Sequence, residues 1–181
     1  MILETKRLIL RPWKDSDAND LYRYASSPEV GPIAGWPAHT SVQNSLEIIK
    51  NVLSKNETYA VVLKNVGHAV GSIGLMIGGE SHLDLPSSEG EIGYWIGVPY
   101  WGQGLIPEAA NEIIRHAFED LNLEKLWCGY YNDNVKSKRV QEKCGFTYHH
   151  TIKNFKHPLI SDIRTEHISC LLKGDYKWNN S

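Results

Sequence analysis

No stretch of the 181-residue chain comes near the ~18 consecutive apolar residues that a membrane span requires. Its opening, MILETKRLILRP, also lacks the long apolar region and small-residue cleavage site of an export signal, so a cytoplasmic location is expected. Cysteine is scarce: Cys128, Cys144 and Cys170 are odd in number, far apart and without CxxC spacing. That argues against a disulfide framework or a zinc site and reads as reduced thiols in the core. Basic residues are not in excess, the formal net charge being -2, which leaves no electrostatic footprint for nucleic acid or an anionic lipid surface. Internal repeats, low-complexity tracts and Gly/Ser linkers are missing as well, so residues 1–181 read as a single domain.

What is present is an alternation of short strands and amphipathic helices. Arg7–Trp13 has the pattern of a strand, and DSDANDLYRYA follows as a helix with Asp15 as its N-cap and Ala18, Leu21, Tyr22 and Ala25 at helical spacing. A loop from Ser27 to His39 leads to a second helix carrying Val42, Leu46, Ile49 and Leu53, opened by a Thr40/Gln43 capping box. Thr58–Lys64 and Ala69–Ile77 flank Asn65–His68 as a hairpin. Glu91–Val98 (EIGYWIGV) is the fourth strand, with Ile92, Tyr94, Ile96 and Val98 on one face and Glu91, Gly93, Trp95 and Gly97 on the other. Glycines thin that second face, which either bends the strand or lets a ligand approach the backbone. A helix from Pro107 to about Leu121, a strand at Lys125–Tyr131, a helix at Asn134–Cys144 closed by Gly145, and two strands within YHHTIK and TEHISCLLK complete the order. The prediction is an α+β fold, a mixed sheet layered with helices.

Between the fourth strand and its helix lies WGQGLIP, Trp101 to Pro107. With Pro107 as the first helical residue its missing N–H costs nothing, and Ile106 becomes a cap without a side-chain acceptor. The N–H groups of the first turn then await water or a ligand. Two readings fit: a plain strand-to-helix turn, or a phosphate seat in which Gly102 and Gly104 let the preceding backbone turn its own N–H groups inward. The GK[ST] of a Walker loop is absent, and a proline stands where a dinucleotide-binding fold has its third glycine.

EIGYWIGVPYWGQGLIPEA, the helix behind it and NDNVKSKRVQEKCGF together resemble the GNAT superfamily of acetyl-CoA-dependent N-acetyltransferases. ETKRLILRPWKDSDANDL at the start is similar to the branch of the ribosomal-protein N-terminal alanine acetyltransferases, and the likeness runs from about Glu4 to Lys173. It implies a mostly antiparallel central sheet of six to seven strands, flanked by about four helices and splayed between the fourth strand and the fifth, Lys125–Tyr131. The family's pyrophosphate loop, Gln/Arg-x-x-Gly-x-Gly/Ala, falls on Trp101, Gly104 and Ile106, of which only Gly104 matches strictly. A second motif falls on Asn134, Ser137, Val140, Lys143, Gly145 and Phe146, beside the cofactor's pantetheine arm. Many relatives carry a tyrosine after the Val140 position as acid for the departing thiolate; Gln141 stands there, so that role does not transfer to residue 141. The implied cofactor contacts are Trp95, Ile96, Gly97, Trp101, Gly102, Gln103, Gly104, Leu105, Ile106, Pro107, Asn134, Ser137 and Lys143, with acetyl-CoA as co-substrate and no metal.

Acetyl transfer from a thioester to an amine needs a neutral amine, a polarised carbonyl and a proton for the thiolate. The resemblance implies direct attack in a ternary complex, with a backbone N–H near Ile96 holding the thioester oxygen. Glu91, at the start of the strand leading into the cofactor loop, is the candidate base, with Glu89 and His82 as alternatives and a solvated edge charge as the plain reading. Ser137 is the motif's candidate for the thiolate's proton, although a serine hydroxyl is a poor acid and a capping serine fits the same place. The resemblance implies that Trp36 with its loop and Asn19–Tyr24 wall the acceptor site, core packing of Trp36 being the plain alternative, while Tyr130 and Tyr131 divide between cleft and core, with Tyr130 the candidate for the acceptor site. His149 and His150 are likewise expected on opposite faces, unable to chelate a metal together. The acceptor is a primary amine, on a protein N-terminus or a small molecule, and the protein a monomer or homodimer. The competing reading is a non-catalytic acyl-CoA-binding module that has kept the loop and lost its proton-transfer groups.

Overall fold

The structure, a computed structural model, describes residues 1–156, 159–160 and 162–177. It opens with β1 (Leu3–Glu4) and β2 (Leu8–Arg11), whose Leu8 and Leu10 are fully buried. A 3-10 turn at Asp15–Asp17 feeds α1 (Ala18–Ala25). The capping acid there is Asp17, not Asp15. Asp17 accepts the Lys14 N–H at 2.9 Å and pairs through both oxygens with Arg11 at 2.7 and 2.8 Å, whereas Asp15 points outward to Lys50 at 3.2 Å. A single turn, α2 (Gly31–Ala34), interrupts the following loop, and α3 (Val42–Ile48) runs on through a π-helical segment, Ile49–Leu53. Ser41 rather than Thr40 caps α3, accepting the Asn44 N–H at 3.0 Å. The reciprocal bond runs from the Thr40 N–H to Asn44 Oδ1 at 3.2 Å, so Asn44 closes the box in place of Gln43.

The rest of the chain supplies β3 (Thr58–Leu63), β4 (Ala69–Ile77), β5 (Glu89–Ile96), α4 (Leu105–Arg115) with a π-helical extension His116–Asp120, β6 (Lys125–Tyr131), α5 (Val135–Lys143), β7 (Thr147–Lys156) and β8 (Ile163–Leu172). Among the described residues eight strands form one sheet in the order β1-β2-β3-β4-β5-β6-β8-β7, the short β1 adding a strand to those expected. Every neighbouring pair is antiparallel except β5 and β6. The α4 stripe Ala109, Ala110, Ile113, Ile114, Ala117 and Phe118 is buried on one face of the sheet against Leu8, Leu10, Val61, Ile73, Ile92 and Leu126. The other face carries α1 and α3, where Trp13, Ala18, Leu21, Ala25 and Ile49 pack with Ala60, Val62 and Ala69. Burying these branched and aromatic side chains is worth roughly 1.5–3 kcal/mol each and holds the two helical layers to the sheet.

Two irregularities shape the C-terminal half of the sheet. First, β5 and β6 pair only at Glu89↔Lys125, Gly90↔Leu126 and Glu91↔Trp127, then part, leaving the rest of each strand facing a gap. Second, a register shift between Tyr148 and His150 breaks the alternation of β7. His149 and His150 therefore do not lie on opposite faces. Their Nδ1 atoms stand 2.8 Å apart, and both rings lie edge-on to Trp127, with centroids 4.9 and 6.3 Å away. Among the described residues, no group of three or more His, Cys, Asp or Glu side chains is placed to hold a metal, and no helix is long and apolar enough to cross a membrane.

Candidate active site

Two cavities, of about 720 and 570 Å³, open on either side of the β5/β6 gap. The Gly97 N–H bonds Val70 O on β4 at 2.8 Å, and alternation turns the N–H groups of Ile96 and Tyr94 the other way, towards the strand that has departed. Those are the strand-edge donors a thioester carbonyl or a peptide-like arm would meet.

The smaller cavity is bordered by Trp95, Ile96, Trp101, Gly102, Gly104, Leu105, Ile106 and Pro107 on one side and by Asn134, Ser137, Val140 and Lys143 on the other. The helix begins earlier than expected. Gly104, at φ 74°, is the cap, Leu105 the first helical residue and Pro107 the third. A left-handed glycine turns the chain into the helix two residues ahead of the proline, whose absent N–H still falls among the unused donors. Gly102 is also left-handed, at φ 74°. The backbone N–H groups of residues 102 to 106 have no acceptor among the described residues, and four of these residues, Gly102, Gly104, Leu105 and Ile106, border the cavity at the positive end of α4. Gly97 and Gln103 do not border this cavity. Gly97 lies beneath Tyr24, where a Cβ would come within 2.5 Å of the ring, and the Gln103 amide folds back to Pro99 O at 2.9 Å.

Of the basic residues on α5, the motif points to Lys143 alone, yet Lys136 and Arg139 border the same cavity. Lys136 Nζ sits 3.3 Å over the Trp101 ring, and Trp101 Nε1–H donates to Ile96 O at 2.9 Å. Cations thus face the amide loop across the cleft. Helical spacing from Ser137 and Lys143 would have found Lys136 and Arg139, which lie at neighbouring positions of the same turns.

The larger cavity holds Trp36 and Tyr130, together with Leu21, the residue of Asn19–Tyr24 that reaches it. Trp36 packs on Trp95 (5.7 Å) and His39 (5.3 Å), forming an aromatic wall. Tyr131 borders this cavity as well as Tyr130, at the end of β6 that has parted from β5 while its other edge stays paired with β8. Glu91 is buried, 6% exposed, rather than a solvated edge charge. Its Oε2 accepts Ser81 Oγ–H at 2.6 Å and lies 3.2 Å from His82 Nδ1, while His82 Nε2 lies 3.0 Å from Glu166 Oε2. Hydrogen bonds to Glu166 and Glu91 push the His82 imidazole up to about 10, so it is an imidazolium near neutral pH. Glu89, the alternative base, is turned to the Trp127 indole N–H.

Ser137 is 9% exposed and its N–H is capped by Asn134 Oδ1 at 3.1 Å. Tyr94, which alternation places on the face of Ile92 and Ile96, packs against the core and reaches across the gap: Oη lies 2.9 Å from Ser137 Oγ and 3.2 Å from Ser137 O. Tyr94, Glu166 and Ser81 are among the polar groups of this region that sequence reasoning left out. Of the three cysteines, Cys128 and Cys144 are buried, and burial pushes the Cys144 thiol up to about 12.

This geometry has counterparts in known proteins. A sequence model of the acetyltransferase (GNAT) domain matches residues 7–147. The uncharacterized N-acetyltransferase p20 of Bacillus licheniformis is 26% identical over 159 residues, covering 85% of this chain and 86% of its own. Among solved structures, the ribosomal-protein-S5-alanine acetyltransferase of Vibrio fischeri has a TM-score of 0.74 at 21% identity, covering 98% of this chain and 99% of that one. The microcin C7 self-immunity acetyltransferase MccE, solved with acetyl-CoA and AMP, has a TM-score of 0.74 at 19% identity and covers 93% of each. With the domain match spanning most of its length and the splayed sheet beneath it, the chain belongs to the GNAT acetyltransferase family and is an acyltransferase.

Proposed function

We propose that the protein, as one domain, transfers the acetyl group of acetyl-CoA to a primary amine by direct attack in a ternary complex. The observation that carries this reading is the meeting of two cavities at the β5/β6 gap, one fitted for phosphate and the other for an amine. In this reading the N–H groups of Gly102, Gly104, Leu105 and Ile106 receive the pyrophosphate, with Lys136, Arg139 and Lys143 opposite. The Ile96 and Tyr94 N–H groups serve the thioester oxygen and the arm. The cofactor supplies an activated acyl carbon; MccE, solved with acetyl-CoA, supports acetyl-CoA as the co-substrate.

On the acceptor side, among the described residues, three carboxylates, Glu80, Glu91 and Glu166, face Lys55 and protonated His82, leaving one negative charge in excess. Such a pocket draws an ammonium group from water, and the aromatic wall of Trp36, Trp95 and Tyr130 shields it. Glu91, in contact with both His82 and Ser81, is the group that takes the amine proton. The acceptor is an α-amine on a protein N-terminus or a small-molecule amine; the ribosomal-protein-alanine acetyltransferase neighbour supports the former.

Thiol release from acetyl-CoA, followed over a panel of N-terminal peptides and small amines, tests the reading. Turnover on at least one cationic amine is expected, with Glu91→Gln slowing it about 10-fold or more while coenzyme A binding is retained. Tight cofactor binding without turnover on any amine would instead identify a binding module.

A further inference from the structure

The departing thiol needs a proton, and the wall shared by the two cavities offers few. Ile33, Ala34, Tyr94, Trp95, Asn134 and Ser137 border both. Ile33 and Ala34 have no polar side-chain atom, the Trp95 indole N–H does not ionise near neutral pH, and Asn134 has its Oδ1 engaged by the Ser137 N–H. Among the described residues two hydroxyls remain, Tyr94 Oη and Ser137 Oγ, 2.9 Å apart. Gln141, one helical turn beyond Ser137, gives its amide to Gly129 O at 3.0 Å and stands 3.5 Å from Ser137 Oγ, so it braces the serine without offering an acid.

Resting on the acetyl-transfer reading, we propose that Tyr94 protonates the departing coenzyme A sulfur, with Ser137 positioning its hydroxyl. The oxyanion of the tetrahedral intermediate re-forms the carbonyl, the carbon–sulfur bond breaks, and its electron pair passes to sulfur. The Tyr94 O–H proton follows, leaving a free thiol and a phenolate to which Ser137 Oγ–H donates. The phenolate regains a proton from water as the thiol leaves, and the proton shed by the attacking nitrogen goes to Glu91 and out to solvent. One proton is lost at nitrogen and one gained at sulfur, with no further reactant.

The acidities suit this step. An ordinary phenol ionises near pH ~10 and a thiol near ~8.5, a short gap for transfer between neighbours. Burial pushes the Tyr94 phenol well above its ordinary range, which keeps it a donor at any working pH, while the Ser137 hydrogen bond pulls the other way. The same burial acts on thiols beside it, as Cys144 at about 12 shows, so a thiolate formed there is destabilised in step with the phenolate.

With an amine accepted in the panel assay, Tyr94→Phe is expected to lower kcat about 100-fold and to change the KM for acetyl-CoA less than about twofold. Ser137→Ala, which keeps the phenol but frees its hydroxyl, should cost about 5-fold in kcat. To separate acid chemistry from packing, 2,3-difluorotyrosine at position 94 retains the hydroxyl and lowers its pKa; the fluorinated protein should keep its kcat near neutral pH and lose it at an alkaline pH where the wild type, its phenol still protonated, keeps turning over. Wild-type kcat in Tyr94→Phe, or an unmoved profile in the fluorinated protein, overturns the assignment while the wild type's own turnover leaves acetyl transfer standing. A wild-type protein that binds coenzyme A yet turns over no amine overturns both.

Discussion

Glu91 and Glu166 are 6% and 4% exposed, and a carboxylate is buried to that degree only with a partner. His82 is the partner of both. Its folded pKa, about 10, lies above the ordinary 6.5, so its stabilising contribution is complete below about pH 6.5 and is lost as pH rises through about 10. Imidazole NMR shifts are therefore expected to show His82 protonated at pH 8, and Glu166→Gln should bring its titration down towards the ordinary range. A neutral ring at pH 8 in the wild type would contradict the arrangement. Gly129 is part of the same construction, because a Cβ there would collide with Glu166 Oε1. Gly129→Ala should displace that carboxylate and raise the KM of a cationic acceptor about 10-fold, with coenzyme A affinity unchanged, as competition binding would show.

At the scale of elements, the amide loop owes its position to the N-terminal segment. Glu108, in the first turn of α4, accepts Thr5 Oγ1–H at 2.6 Å, the Arg7 N–H at 2.8 Å and Arg7 Nε–H at 2.6 Å, while Arg7 Nη1–H donates to Gln103 O at 3.0 Å. A carboxylate at this end of a helix shares the positive field meant for a phosphate, and Arg7 offsets it. Arg7→Ala should release Gln103 O, leave Glu108 unbalanced and weaken coenzyme A binding about 5- to 10-fold by calorimetry, the loss shrinking at high salt. An unchanged Kd at low salt would refute the coupling. Much of this level was legible in advance: the period of Ile113, Ala117 and Phe118 marks α4, and the alternation of β5 marks its faces. The start of α4 was not, since proline at the first helical position is the default until a left-handed Gly104 is known. Tyr94 was hidden for a different reason. Alternation puts it beside Ile92 and Ile96, but its partner lies 43 residues on, and only the parting of β5 from β6 makes room for the hydroxyl. Glu166 faces the site through the register Tyr131↔Glu166, which no local pattern specifies.

Across the whole molecule these ionisations bound a window of stability. On the acid side, burial acts to raise the Asp17 carboxyl but the hydrogen bonds from Arg11 and Lys14 outweigh it, and the same balance between burial and the bonds from Thr5 and Arg7 holds Glu108 below its ordinary value. A depressed carboxylate stabilises the fold above its unfolded value near pH ~4, and the contribution is lost as pH falls through the folded value. On the alkaline side His82 withdraws its contribution as pH rises through about 10. The melting temperature is therefore expected to be flat from about pH 5 to about pH 6.5, to fall on the acid flank below about pH 5, and to fall on the alkaline flank between about pH 6.5 and about pH 10. Asp17 ties β2 to the entry of α1 through side chains only 15% and 7% exposed, so Asp17→Asn leaves Arg11 with an unmatched charge in a half-closed site. That substitution should remove about 2 kcal/mol, or about 4–8 °C in Tm for a chain of this size, and should also flatten the acid flank. Because only the acid flank depends on Asp17, calorimetry across pH separates the ion pair from general loosening: a uniform drop with an unaltered acid slope would show that Asp17 acts through packing alone.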